Sequence, residues 1–149
     1  MTIKNCIEKN YSQCAVSKCN ENSCKMKFNK IGTHIIIKGE SISQGKFKIC
    51  DYLVFIDNES CIICSIELRS NNTDHPTEIH EKLENSVPII KDILKKCGNN
   101  RTKIKYYPIL LSKSIDRFHE AFLTAKKING EKIIRENCGI QLKTILDKY

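Results

Sequence analysis

Two acidic residues stand where acids are least expected. Asp51 lies near the start of the apolar run ICDYLVFID (49–57), and Glu67 lies near the end of CIICSIELRS (61–70). Both runs are rich in the β-branched and aromatic residues that favour strands. Only the residues NES (58–60) separate them, a hairpin-length loop. With that loop Asp57 faces Cys61 and, counting back, Asp51 faces Glu67. Directly opposed residues of an antiparallel pair have Cβ atoms about 4.5–5.5 Å apart. Arg69, two residues beyond Glu67, shares its face. One extra loop residue would turn Asp51 to the other face.

Opposed carboxylates repel unless something compensates. A divalent cation would do so, because hard oxygen ligands from one or two carboxylates suit magnesium or manganese. Such a cation polarises a phosphate oxygen and lowers the pKa of a bound water. A positive group alongside stabilises the charge that develops on the phosphate. The plainer readings are a solvated or lysine-paired Asp51, and a Glu67 in a salt bridge, although an i, i+2 pair with Arg69 is long for a strand.

The elements that must hold these residues follow from hydrophobic period. THIIIKG (33–39) reads as a strand ended by glycine, and SISQG as a turn-rich connection. After the hairpin the period changes: Ile79, Leu83, Val87, Ile90, Ile93, Leu94 and Cys97 form one helical stripe. Pro76 suits the first turn, Asp74 or His75 the cap, and Gly98 the stop, with Pro88 expected to kink or split the helix near Ser86. KIKYYPILL (103–111) reads as a strand whose Pro108 suggests an edge or a bulge. A short helix on Ile115, Phe118, Phe122 and Leu123 follows, then a turn at Asn129-Gly130 and a closing amphipathic helix. Residues 1–32 read as a less regular cover. The expectation is one α/β domain over 1–149, with a mixed sheet flanked by helices.

The chain has 149 residues and a formal net charge of +8, which suits a polyanionic partner. It has no apolar stretch near the roughly 20 residues that span a bilayer and no signal-peptide core in MTIKNCIEKN, so no membrane partner and a cytoplasmic location are expected. Nine cysteines, an odd number, several inside apolar runs, favour reduced buried thiols. Cys6, Cys14, Cys19 and Cys24 lack the tight pairing of structural zinc, and Cys61 and Cys64 would point to opposite faces of a strand. His34, His75, His80 and His119 show no ligand spacing. Lys91, Lys95, Lys96, Arg101, Lys103 and Lys105 form a basic stretch, read either as a solvated face or as phosphate contacts. Aromatics are 7% of the chain, and no aromatic-rich strand suggests base stacking.

CDYLVFID, the short loop, IELRS and the helix carrying EKLENSV together resemble the PD-(D/E)XK nuclease superfamily, the restriction-endonuclease-like fold. The chain is similar to a small, poorly characterised subgroup with a Cys-Asp-Tyr/Phe-Leu strand, a Glu-Leu-Lys strand end, a helix with Gln-Leu and a late Cys-Gly. That last element is ENCGIQL here, and CKMKF matches an early one, so the resemblance spans roughly residues 19 to 146. It implies a magnesium- or manganese-dependent nuclease acting on DNA rather than RNA, with Asp51 and Glu67 as metal ligands. Glu40, or failing that Glu21, would supply a further acid. The family lysine is Arg69 here, which keeps the charge but cannot shuttle protons. Lys82, where the family has glutamine, is a candidate migrated lysine. The alternative is an inactive nuclease-fold protein that binds nucleic acid or a protein partner. Double-strand cleavage would favour a homodimer.

Overall fold

The computed structural model describes residues 2–73, 75–98 and 103–149. An N-terminal helix α1 (Ile3–Asn10) and a 3₁₀ turn lead to β1 (Ala15–Val16) and a small hairpin of β2 (Cys19–Glu21) and β3 (Cys24–Met26). Then come β4 (His34–Lys38), a five-residue helix α2 (Gly39–Ser43), β5 (Tyr52–Asp57), β6 (Cys61–Thr73) and the long helix α3 (Pro76–Cys97). The chain continues through β7 (Ile104–Ile115), α4 (Arg117–Thr124), the short strands β8 (Lys127–Ile128), β9 (Glu131–Lys132) and β10 (Ile134–Glu136), and α5 (Leu142–Lys148). The main sheet has six strands in the order β1-β4-β5-β6-β7-β10. It is antiparallel from β1 to β6 and parallel from β6 to β10, hence mixed.

Period-2 alternation sends the two sides of each strand into separate cores. Ile35, Ile37, Leu53, Phe55 and Ile63 pack beneath α1 and α3. Ile36, Val54, Ile56, Ile66 and Leu111 pack against α5 and the β2–β3 hairpin. The strands are covered on both faces, which is why they read as continuous apolar runs.

Four expectations need correction. Helix α3 runs unbroken through Pro88. Proline loses its N–H and crowds the carbonyl four residues back, but Pro88 is on the exposed side, and buried Ser86 and Ile90 hold the helix on either side. Strand β7 is interior, yet β10 pairs with it only from Ile109 onward, so Pro108 faces one partner, Ser65 of β6. The missing donor is therefore tolerated. Four cysteines form disulfides rather than staying reduced: Cys6–Cys97 and Cys24–Cys138, with Cα–Cα distances of 5.5 and 5.0 Å. These links consume two of the four sulfurs that a zinc reading of the N-terminal cysteines would need. The remaining five stay out of disulfides. SISQG, expected as a turn, contributes most of α2. No helix among the described residues is long and apolar enough to cross a membrane.

Candidate active site

The register counted from the three-residue loop is the one observed. Asp57 pairs with Cys61 and the ladder runs without a slip to Tyr52 opposite Ile66. Asp51 precedes that ladder by one residue and meets Glu67 at its end. The Asp51 N–H donates to Glu67 Oε1 at 3.2 Å, and Asp51 Oδ2 accepts from the Leu68 N–H at 2.8 Å. Each carboxylate thus grips the other's strand. Gly39 shapes this end from the side: its N–H donates to the Asp51 carbonyl at 2.8 Å. A Cβ on Gly39 would overlap the Cys50 carbonyl oxygen, so only glycine lets the backbones come this close.

Glu67 is 1% exposed. A buried carboxylate must be paired or neutralised, and two cations answer it. Arg69 Nη2 lies 2.7 Å from Oε2, and Lys82 Nζ lies 3.3 Å from the same oxygen. The Arg69 contact corrects the view that an i, i+2 pair is too long, because the flexible side chain folds back along the shared face. Glu78, one turn before Lys82 on α3, completes the cluster at 3.6 Å from Lys82 and 3.8 Å from Arg69. Slight burial pushes Glu78 up, but Lys82, Lys48 and Arg69 together hold it below the usual carboxylate range.

Asp51 is the perturbed member. Burial, and then the neighbouring Glu67 charge, push it up to about 7, while the Leu68 N–H and Lys82 pull the other way. Glu21 adds to the upward push. Glu21 sits on β2, where Tyr52 Oη donates to the Asn20 carbonyl at 2.9 Å and to Glu21 Oε1 at 3.4 Å. Two open clefts meet at this point, of about 330 and 230 Å³, and both are lined by Glu21, Asp51 and Lys82. Glu40 is exposed on the wall of the smaller one and is not among the charges that shift Asp51.

The structure therefore brings Asp51, Glu67, Arg69 and Lys82 together, with Glu21 nearer in effect than Glu40. The basic stretch lies elsewhere. Lys91, Lys95 and Lys96 are exposed toward the other end of α3, and Lys82 to Lys95 spans about 20 Å at 1.5 Å per residue. Lys103 and Lys105 are exposed near the opposite end of the β6–β7 pair, where Lys105 faces Ile62. Arg101 and the cap candidate Asp74 lie outside the described residues. Glu78 and Lys48 went unnoticed in the sequence. The i, i+4 spacing of Glu78 and Lys82 was the available signal for the first, and nothing local marked the second.

The donor set suits a hard cation in kind. Magnesium commonly takes one or two protein carboxylates and keeps its waters. No group of three or more His, Cys, Asp and Glu side chains among the described residues is arranged to hold a metal by itself. A two-carboxylate magnesium site lies within that limit. Arg69 Nε and Nη2 are buried and make no hydrogen bond among the described residues, the Nη2 contact with Glu67 being an ion pair. Such a donor is one that an entering oxygen ligand would satisfy. Comparison with protein-family models, with curated proteins and with solved structures finds no match to this chain.

Proposed function

We propose that this chain is a magnesium- or manganese-dependent nuclease of restriction-endonuclease-like design that hydrolyses phosphodiester bonds, in DNA rather than RNA. One observation carries the reading: two carboxylates from opposite arms of a hairpin meet at its end, and burial, with the Glu67 charge second, raises Asp51 to about 7. A cation is the ligand that relieves such crowding. Asp51 and Glu67 would hold it, while Glu21, rather than Glu40, adds negative charge near Asp51. The cation would supply Lewis-acid activation of the phosphate and of a water. Arg69 and Lys82 supply fixed positive charge beside the reacting group. Arginine holds its charge permanently, so lysine is the more versatile of the two residue types in such a site. Glu67 keeps both cations in place, and the Asp51 N–H fixes Glu67 in turn.

Plasmid, linear and single-stranded DNA, and RNA, incubated with the protein and either metal, test the reading. Cleavage that disappears in Asp51→Ala supports it. No cleavage of any substrate, or cleavage indifferent to Asp51→Ala, overturns it.

A second reading has its own observation. Glu67 is already satisfied by Arg69, Lys82 and a backbone N–H, as in a scaffold that binds nucleic acid or a protein without a metal. Titration calorimetry with magnesium separates the two. Heat that is lost in Glu67→Gln favours the nuclease, and no heat in the wild type favours the scaffold.

A further inference from the structure

The connection from α2 to β5 builds one wall of the smaller cleft. Gln44 and Gly45 both take left-handed backbone conformations, with φ of 53° and 72°, and turn the chain sharply. The turn is tied down: Ser43 Oγ accepts from the Gly45 N–H, the Ser43 carbonyl accepts from the Lys46 N–H, and Asn85 Nδ2 donates to the Lys48 carbonyl. Ile49 and Cys50 then enter the core. Between these anchors Lys46, Phe47 and Lys48 are all exposed, Phe47 to 40%. Phe47 and Lys48 line the same cleft as Lys38, Asp51 and Lys82.

A single exposed phenylalanine is ordinary on a protein surface. This one differs in its place, between two lysines and on the wall of the cleft that holds Asp51. Ammonium groups attract phosphates, and an aromatic face accepts any base that is free to leave its stack. A duplex keeps its bases stacked inside and offers Phe47 no face. A cleft of about 230 Å³ has room for a base and its sugar but not for a stack of pairs. We propose that residues 46–48 grip an unpaired nucleotide, Phe47 stacking on its base while Lys46 and Lys48 hold the adjoining phosphates beside Asp51. The substrate class is then single-stranded or frayed nucleic acid. This rests on reading the carboxylate cluster as a phosphodiester site.

The test is binding of a short labelled single strand and of its duplex, followed by fluorescence anisotropy in EDTA so that nothing is cut. Phe47→Ala is expected to weaken single-strand binding about tenfold and to leave duplex binding alone. Phe47→Tyr keeps the affinity. Phe118→Ala, at the 88% exposed phenylalanine of α4, changes neither and serves as the control. Lys46→Ala with Lys48→Ala weakens both substrates and flattens the salt dependence. Single-strand affinity within twofold of wild type in Phe47→Ala, or an equal loss on both substrates, overturns the proposal. Cleavage that needs Asp51 but ignores Phe47 sinks this inference alone. Phe47-dependent binding without any cleavage leaves it standing while the nuclease reading falls.

Discussion

Helix α3 carries charge at both ends, and the two ends behave differently. Near its start, Glu78 and Lys82 face the buried Glu67 and Arg69, and each charge there is held by another. Near its end, Lys91, Lys95 and Lys96 stand in solvent, and Lys96 lies 5.7 Å from the centre of the Tyr11 ring. Two charges 4 Å apart interact by about 1 kcal/mol in water and by about 4 kcal/mol at the effective dielectric of a protein surface. Net charge alone would have put function at the lysine-rich end. Burial instead singles out the other end, where Glu67 is 1% exposed.

The largest effect expected from breaking this contrast is on cleavage. Asp51→Ala should lower the rate by about 10³-fold, the scale of losing an electrostatic element of the chemistry. A steady-state assay with magnesium reads it, and a loss below tenfold would move the chemistry away from this end. Next comes a change at the lysine-rich end that should spare chemistry altogether. Cys6→Ser with Cys97→Ser removes a link closing 91 residues and should cost up to about 4 kcal/mol in urea unfolding. Below its melting point the variant should cut at the wild-type rate.

Gly39→Ala is smaller in stability but falls at the acidic end. Pushing the Cys50 carbonyl aside should cost about 1–3 kcal/mol. Because Asp51 moves with it, cleavage should fall further than stability predicts, which a rate measured at full folding would show.

Asp51→Asn tests the crowding by pH. A carboxyl raised to about 7 keeps its proton in the folded chain while the unfolded chain, near 3.8, gives it up. Stability from this group is complete below about pH 4 and is lost as pH climbs through 7. In metal-free buffer the variant should therefore melt a few degrees above wild type at pH 8, with the gap closing toward pH 4. A constant gap would show that Asp51 is not strained. The smallest effect belongs to Lys91→Ala, Lys95→Ala and Lys96→Ala combined. It should leave cleavage within about twofold and reduce only the salt dependence of binding.

The pairing of Asp51 with Glu67 was legible because it depends on local quantities, a period of two and a loop of three residues. Lys82 was legible only through the resemblance, at the helix position where that family has glutamine. Glu21 ranked behind Glu40 because its position depends on a hairpin delivered by distant contacts, the Tyr52–Asn20 hydrogen bond and the Cys24–Cys138 link. No spacing rule reaches across 114 residues. Gly39 looked like the end of a strand and nothing more, since a strand-ending glycine does not reveal that a carbonyl lies against its Cα. Lys91, Lys95 and Lys96 follow Lys82 closely in sequence, but α3 carries Lys95 about 20 Å beyond it.

The two cystine links interleave, since Cys24 falls inside the loop closed by Cys6–Cys97 and Cys138 outside it. A single peptide-bond break anywhere between residues 6 and 138 therefore leaves the oxidised protein as one molecule. A nicked chain would migrate as intact material until a reductant is added, and only then fall into two pieces.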